Sequence, residues 1–377
     1  MLIRYFAGNK INIKENFEDM VLKNMKVKNL DLSSKTMKAA MFYGPRQVKL
    51  EEISIPDIEP DEVLVKVKAA LTCGTDRKMY LRGHHLFNPP FIFGHEFAGD
   101  IVEVGSKVKN FRPGMRVVAA NSAPCNSCFY CKSGDYSLCD SLFIQLSGAF
   151  AEYIKIPGII VSQNLLIIPE AVSYKEAALL EPLSCVVHGV EESKINLGDT
   201  VVINGAGPIG LMYLQVVILK GVRVIITDKL EERLKLALKL GAYKAINISQ
   251  IQDPIKEVRK FTEDERGADV AIEAVGLPRV WEQTIAMVRK GGTVNLFGGC
   301  KRGTKISIDT GLLHYSQINI KGVFHHAPRH VKRALNLISN KVIDADSLIT
   351  YELPLTRIST VIDMMLKNKG IKIAVIP

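Results

Sequence analysis

The chain has 377 residues, of which 47% are hydrophobic and 23% are charged, so it holds enough apolar material for a sizeable core and is long enough for two domains. Its 49 Lys/Arg exceed its 39 Asp/Glu by ten without a dense basic run. This favours a mildly basic surface, or a cleft for an anionic nucleotide, over nucleic-acid binding. Neither a long apolar run nor a secretory signal is evident, which argues against membrane insertion and favours a cytoplasmic protein with reduced thiols.

The chain is predicted to begin with an extension followed by a β-rich domain. Residues 1–36 show weak periodicity and no chemistry. They are either a genuine extension, ordered or disordered, or the result of a start set ahead of Met37. From residue 37 to about 160, short strand-like runs are separated by Gly and Pro, a pattern typical of barrel-like folds. These runs include "DEVLVKVKAAL", "GDIVEVG", "GMRVVAA" and "AEYIKIP".

Two motifs in the β-rich part carry potential metal ligands. The stretch "FIFGHEFAGDIVEVGSKV" places His95 and Glu96 in the pattern G-H-E-x2-G-x5-G-x2-V, and Cys73 precedes it in "CGTD". One thiolate and one imidazole suit zinc, which needs an open fourth position if it is to act on a substrate. A lone Cys or His is more often a packing residue, but the joint motif predicts a metal site.

Four more cysteines lie within the stretch "PCNSCFYCKSGDYSLC". Their spacing, C-x2-C-x2-C-x7-C, closes a loop that could surround one tetrahedral cation, whereas disulfides suit a reducing compartment poorly and a redox pair needs only two thiols. Coordination by thiolates alone leaves zinc no open position, so we expect a structural site that contributes to folding. The four residues are Cys125, Cys128, Cys131 and Cys139. The remaining Cys185 and Cys300 are expected to be small buried packing residues.

The second half of the chain predicts a parallel sheet covered by helices. The stretch "SYKEAALLEPLSCVVHGVEES" has helical periodicity, and after it four apolar runs alternate with helical segments, as in parallel sheets that are buried on both faces. From about His325 the tail holds a helix and a last apolar run that could return to the first domain. The expected fold class is α/β, with a β-rich domain over 37–185 and 325–377 and a doubly wound parallel-sheet domain over 186–324.

A dinucleotide site is predicted at "GAGPIG", which follows the strand "TVVIN" and opens a helix. Gly205 would permit the tight turn, Gly207 the approach of a pyrophosphate, and Gly210 close packing of helix and strand. Asp228, at the end of the next strand, would accept hydrogen bonds from the adenosine ribose and repel a 2′-phosphate, which favours NAD over NADP.

Four further residues are assigned to the cofactor. Pro208 and Ile209 fill the variable positions of the Gly-rich loop, and Val275 follows a later strand. Arg233 lies five residues after Asp228, where it weakens the case for NAD slightly unless it stacks on the adenine.

Together these motifs resemble those of zinc-dependent alcohol dehydrogenases of the medium-chain dehydrogenase/reductase superfamily, over residues 37–377. The resemblance implies a GroES-like catalytic domain, an NAD-binding Rossmann domain, and one catalytic and one structural zinc. It also implies a homodimer or homotetramer. Cys73 and His95 would bind the catalytic zinc, and Glu96 is a ligand in some members and a nearby carboxylate in others. Glu181, in "LLEPLSC", matches a residue that polyol-type members place at the zinc or one water from it, although it could be only a charge at a helix N-terminus.

The sequence departs from the family's pattern at the proton relay. Thr75 matches the hydroxyl residue of the family's relay, but many members carry histidine where this chain has Lys78. The relay then continues through Lys78 or through water. His84 and His85 could face the substrate, but lone histidines are more often ordinary loop residues.

The resemblance implies hydride transfer between NAD and an alcohol. Glu181 favours a small polyol or amino polyol, of the sorbitol or iditol type, as substrate. The presence of the four-cysteine segment over residues 125–139, called the cysteine lobe below, favours the same substrate class. L-Threonine 3-dehydrogenase and butanediol dehydrogenase are the alternatives within the enzyme class. A catalytically silent zinc- and NAD-binding homologue is the alternative outside it, although the complete set of site residues argues against silence. A nucleic-acid module built on the lobe is disfavoured because Lys132 is its only basic residue.

Overall fold

The structure is a computed structural model, and it describes residues 35–83, 87–142 and 146–377. The predicted extension falls almost wholly outside these ranges, as do His84 and His85. Thr36–Pro377 form one compact unit. Within the described ranges, none of the helices combines the length and the apolarity that crossing a membrane requires.

The strands, in chain order, are β1 (Thr36–Gly44), β2 (Gln47–Ser54), β3 (Val63–Leu71), β4 (Phe91–Ile92), β5 (Glu96–Val104), β6 (Arg116–Ala119), β7 (Tyr153–Ile156), β8 (Leu165–Ile167), β9 (Thr200–Asn204), β10 (Arg223–Asp228), β11 (Lys244–Asn247), β12 (Ala268–Glu273), β13 (Val288–Leu296), β14 (Asn319–Gly322), β15 (Ile349–Pro354) and β16 (Lys372–Ile376).

The α-helices are α1 (Gly74–Arg82), α2 (Phe129–Lys132), α3 (Gly158–Gln163), α4 (Tyr174–Ala177), α5 (Leu180–Glu192), α6 (Pro208–Val217), α7 (Glu231–Lys239), α8 (Pro254–Arg259), α9 (Pro278–Ala286), α10 (Thr310–Tyr315), α11 (Pro328–Ser339), α12 (Ala345–Leu348) and α13 (Ile358–Leu366). The helix predicted over 173–193 is therefore two helices. Ser173 caps the first of them by accepting from the Glu176 amide, and Pro182 is tolerated in the first turn of the second.

A seven-stranded sheet gathers strands from both ends of the chain. Its order is β15-β16-β3-β5-β6-β8, with β7 also paired to β3. In the final strand, Ala374 lies opposite Leu71 of β3, so the tail returns to the β-rich part. A smaller sheet, β2-β1-β4, accompanies it.

A six-stranded sheet, in the order β11-β10-β9-β12-β13-β14, is parallel throughout. Its strands alternate between two apolar cores: Val201 and Ile203 enter one core, and Val202 between them enters the other. Burial on both faces explains why these runs are continuously apolar in sequence. The strand order reverses between β9 and β12, and such a switch point, at the carboxyl ends of the strands, is where parallel sheets bind ligands. The α/β fold class is confirmed.

Candidate active site

Strand register brings the two halves of the first metal motif together. Leu71 of β3 is paired with Glu96 of β5, so Cys73 just after β3 meets His95 just before β5. The ligating atoms of Cys73, His95 and Glu96 lie within 4.8 Å of one another. Two segments that are remote in sequence therefore form one site.

A buried carboxylate that the sequence reasoning passed over supports this site. Asp76, in the first turn of α1, is 1% exposed. One of its oxygens accepts from the Cys73 amide at 2.9 Å, and the other lies 3.1 Å from His95 Nδ1. The Cys73 sulfur in turn accepts from the Thr75 amide at 3.4 Å and caps the helix. The "CGTD" motif is thus a capping box whose cap is also a potential ligand.

Electrostatics at His95 reflect the same arrangement. Burial lowers the pKa of His95, but Asp76 and Cys73 outweigh it and leave the pKa well above its ordinary value. The imidazole therefore carries a proton in the absence of metal, and a cation must displace that proton to bind. Pairing of one ring nitrogen with a carboxylate leaves the other nitrogen for a metal, as is usual for ligating histidines.

Glu96 belongs to a buried ion pair. Lys372 Nζ donates to Glu96 and, at 2.9 Å, to the Thr72 carbonyl. Burial works to lower the pKa of Lys372, but the Glu96 carboxylate outweighs it and the pKa is raised. Glu96 Oε1 is buried without a hydrogen-bond partner among the described residues, and such an atom needs a cation or a donor.

Glu181 lies at the N-terminal end of α5 and is 6% exposed. Burial raises the pKa of its carboxyl group, whereas the positive charge of His95 and a hydrogen bond from Asn121 lower it. Glu181 is therefore a buried carboxyl group that interacts electrostatically with His95.

The first site fits a zinc ion by the chemistry of its donors. A thiol, an imidazole and a carboxylate converge, a second carboxylate lies against the imidazole, and one oxygen of the converging carboxylate has no hydrogen-bond partner in the part of the chain that the structure describes. This combination is typical of catalytic zinc, which keeps a further position for water or substrate.

The four-cysteine loop fits a second zinc ion. Its four sulfurs lie within 4.8 Å of one another, and all four cysteines are free. Cys125 and Cys131 have sulfurs 4.0 Å apart, far longer than a disulfide but close to the separation of about 3.8 Å between sulfurs that share a tetrahedral zinc. Hydrogen bonds from Ser127 and Cys128 to its sulfur lower the pKa of Cys125 to about 6, so a thiolate is available at neutral pH.

Two glycines of the predicted nucleotide loop, Gly205 and Gly210, are required by the local geometry. Gly205 has φ 106°, a conformation that favours glycine. A Cβ on Gly210 would lie 1.8 Å from the Gly205 carbonyl oxygen, so helix and loop pack too closely for any side chain. Gly207 caps α6, and a Cβ there would meet nothing nearer than Arg233 Nη1 at 3.7 Å. Pro208 opens α6 and is followed by Ile209.

The remaining cofactor candidates border this loop. Asp228, at the end of β10, accepts from the Ala206 amide at 2.7 Å and so holds the loop itself. The Val275 side chain would lie 2.8 Å from a Cβ on Gly205. The Arg233 guanidinium lies beside Gly207 and donates to the Gly370 carbonyl at 3.4 Å, which places its charge beside the N-terminal end of α6.

The side chain of Lys78 extends from α1 to a loop of the parallel-sheet part of the chain. Its Nζ donates to the Gly299 carbonyl at 3.0 Å, in the loop that follows β13. Burial, aided by the charge of Arg82, lowers the pKa of Lys78. Thr75 is exposed in the first turn of the same helix.

Sequence reasoning missed a group of histidines beside Glu181. The ligating atoms of Glu181, Cys185, His325 and His326 lie within 4.8 Å of one another. The available signal was "VFHHAPRH", which holds three of the chain's eight histidines. Of the two cysteines expected to be buried, Cys185 is buried but Cys300 is partly exposed, because it lies in the loop beyond Gly299 rather than in a core.

Comparison with known proteins agrees with this geometry. Residues 59–166 match the alcohol dehydrogenase GroES-like domain family, and residues 208–340 match the zinc-binding dehydrogenase family. Sorbitol dehydrogenase of Bacillus subtilis (strain 168) is 36% identical over 90% of this chain and 97% of its own length. L-Threonine 3-dehydrogenase of the same organism is 34% identical over 92% of this chain and 100% of its own length.

A solved structure described as a zinc-binding dehydrogenase from Sinorhizobium meliloti 1021, bound to NADP, superimposes with a TM-score of 0.82 at 31% identity, covering 91% of this chain and 100% of that one. The chain therefore belongs to the zinc-dependent medium-chain dehydrogenase/reductase family and is an NAD-linked oxidoreductase of alcohols, as its sequence motifs predict.

Proposed function

We propose that this protein oxidises a secondary alcohol of a small polyol or amino polyol, of the sorbitol or iditol type, with NAD as acceptor. The observation that carries the proposal is the convergence of Cys73, His95 and Glu96, with Glu181 buried and interacting electrostatically with His95. Lys78, on the helix after Cys73, reaches a loop at the carboxyl edge of the dinucleotide sheet. The 36% identity to a sorbitol dehydrogenase supports the polyol class.

Cys73, His95 and Glu96 would hold the catalytic zinc, with Glu181 as a further ligand or as the partner of a bound water. When bound there, zinc supplies a Lewis acid that lowers the pKa of an alcohol, and NAD supplies the hydride acceptor. With zinc bound, Asp76 would orient the His95 ring and fix its tautomer, because an Asp76 oxygen lies 3.1 Å from His95 Nδ1.

The proton released from the alcohol needs a route out of a buried site. We assign its first step to the Thr75 hydroxyl, which lies in the exposed first turn of α1. Lys78 is the next carrier, because burial lowers its pKa and an amine with a lowered pKa exchanges protons more readily near neutral pH. Water could replace Lys78 in this role.

The cysteine lobe would hold a structural zinc through Cys125, Cys128, Cys131 and Cys139. For the cofactor, the loop from Gly205 to Gly210, including Pro208 and Ile209, would receive the pyrophosphate, with the Arg233 charge beside it and Val275 against the nicotinamide half. Asp228 would bind the adenosine ribose and favour NAD over NADP by charge repulsion.

The division of the chain follows from the two large sheets. The seven-stranded sheet takes strands from 63–167 and 349–376, whereas the six-stranded sheet takes strands from 200–322. We therefore propose a catalytic domain over 37–185 and 325–377 and a nucleotide domain over 186–324. A cytoplasmic location, supported by the free thiols of the lobe, and a homodimer or homotetramer complete the proposal.

Initial rates of NAD reduction with sorbitol, iditol, an amino polyol, 2,3-butanediol and L-threonine test the substrate class. A polyol is expected to give the highest kcat/KM. Turnover with L-threonine alone would show instead an L-threonine 3-dehydrogenase, which the second relative makes the leading alternative. Zinc and NAD binding without turnover on any of these substrates would identify the silent homologue.

A further inference from the structure

We propose that Glu273 is a positioning residue for the cofactor: it holds two loops of the parallel sheet in the arrangement that receives the nicotinamide half of NAD. The two loops are residues 274–277, called the β12 loop, and residues 297–299, called the β13 loop. The inference rests on the proposed function, because it refines the cofactor site assigned there.

The two loops lie between the Gly-rich loop and the first metal site. On one side, the Val275 side chain of the β12 loop lies 2.8 Å from the place of a Cβ on Gly205. On the other side, Lys78 donates to the Gly299 carbonyl of the β13 loop at 3.0 Å, and its helix α1 begins directly after Cys73. A dinucleotide whose pyrophosphate occupies the Gly-rich loop must therefore pass these loops for its nicotinamide to reach the metal.

Glu273, the last residue of β12, makes hydrogen bonds to both loops. Its Oε1 accepts from the amides of Val275 at 2.9 Å and Gly276 at 2.8 Å. Its main-chain carbonyl accepts from the amides of Phe297 at 3.2 Å and Gly298 at 3.0 Å. Backbone donors of both loops therefore converge on one residue.

The two loops contact each other through glycines, so a shift of one loop displaces the other. A Cβ on Gly276 would lie 2.6 Å from the Gly299 carbonyl oxygen, and a Cβ on Gly298 would lie 2.4 Å from the Gly276 amide nitrogen. The Cβ on Gly298 would also lie 2.5 Å from Glu273 Oε2, so the carboxyl group fills the space beside this contact. Trp281 of α9 donates from Nε1 to the Gly298 carbonyl at 2.9 Å.

The burial of Glu273 is costly for a residue that only supports a sheet. Its side chain is 0% exposed, and Oε2 has no hydrogen-bond partner within the described residues. A buried polar atom without a partner keeps its desolvation penalty, and departures of this kind concentrate at functional sites. An apolar side chain would remove the penalty but would leave the Val275 and Gly276 amides without their acceptor. The carboxyl group thus serves the shape of the β12 loop.

Calorimetric titration of the zinc-loaded full-length protein with NADH and with ADP tests the inference. ADP carries the adenosine and the phosphates without the nicotinamide half. Glu273→Met keeps the length of the side chain and removes the acceptor of two loop amides. We expect its Kd for NADH to rise at least tenfold and its Kd for ADP to stay within about twofold of the wild-type value.

Glu273→Gln should restore most of the NADH affinity, because its side-chain oxygen can accept from the same two amides. Gly298→Ala crowds the two loops from the other side and should also weaken NADH selectively, and it decides the inference if Glu273→Met does not fold. Asp269→Ala is the matched control, since Asp269 lies near the opposite end of β12 and accepts from the Thr200 amide at 2.7 Å. It should lower the Tm and leave both Kd values unchanged.

An equal rise in Kd for NADH and ADP in Glu273→Met and Gly298→Ala would show that Glu273 only supports the fold. Unchanged NADH binding in both variants would also refute the inference. Neither titration uses an alcohol, so a wild type that oxidises no alcohol would overturn the proposed function, and the two Kd values would still decide the inference. A wild type that binds neither NADH nor ADP would overturn both.

Discussion

Replacement of Asp76 should loosen the catalytic zinc while leaving the fold intact. Asp76 is buried and contacts both Cys73 and His95. Loss of a group that orients a ligating histidine typically lowers metal affinity about 10- to 100-fold, or about 1.4 to 2.7 kcal/mol. Asp76→Asn keeps the size and an oxygen for the Cys73 amide, so we expect about tenfold. Asp76→Ala loses both contacts and should approach 100-fold.

The assay is competition for zinc with a chromophoric chelator. The cysteine lobe serves as an internal reference, because its zinc should be released equally in wild type and variants. Asp57→Asn, at an exposed position, is the matched control. Since Asp76 raises the pKa of His95, zinc binding should weaken as the pH falls through that pKa, and Asp76→Asn should move this loss to lower pH. Asp76→Ala that retains zinc as tightly as the wild type would refute the reasoning.

Three further predictions concern the cofactor, the relay and the lobe. Asp228→Asn removes the charge that we propose faces the ribose but can still accept from the Ala206 amide, so the NAD-to-NADP ratio of kcat/KM should fall at least tenfold. An unchanged ratio would show that Asp228 does not select the cofactor. Lys78→Met should lower kcat about tenfold or more at neutral pH, with partial rescue by added small amines; no rescue and no change in the pH profile of kcat would point to water as the carrier. In zinc-stripped protein, Cys125 should be alkylated faster than the other lobe cysteines, with a midpoint near pH 6, because the thiolate is the nucleophile and protonation below that pH removes it. Zinc should protect Cys125, and a midpoint above pH 8 would contradict the assigned hydrogen bonds.

Some of the site can be predicted because its signals are local. Gly205 and Gly210 are required by contacts within one turn and one helix, and the lobe cysteines lie within fifteen residues. Short-range geometry of this kind depends directly on the spacing of residues along the chain. The sequence therefore predicts the Gly-rich loop and the assignment of the four clustered thiols to one ion.

Other parts depend on contacts between remote segments, which spacing does not encode. Glu96 and Lys372 are 276 residues apart, and Lys78 meets Gly299 across 221 residues. His325 joins the site only through the return of the chain after β14. Asp76 was missed although its contact is local. Its partner Cys73 is three residues away, and the capping box in "CGTD" could have been recognised from the sequence.

The proposed chemistry requires a zinc ion held by Cys73. Cys73→Ser should be purified with NAD added, and its zinc content and rate of NADH formation should be measured on the same sample with the best polyol. We expect one zinc per chain, retained NAD binding and loss of NADH formation. Wild-type turnover by a Cys73→Ser protein that contains one zinc would contradict it.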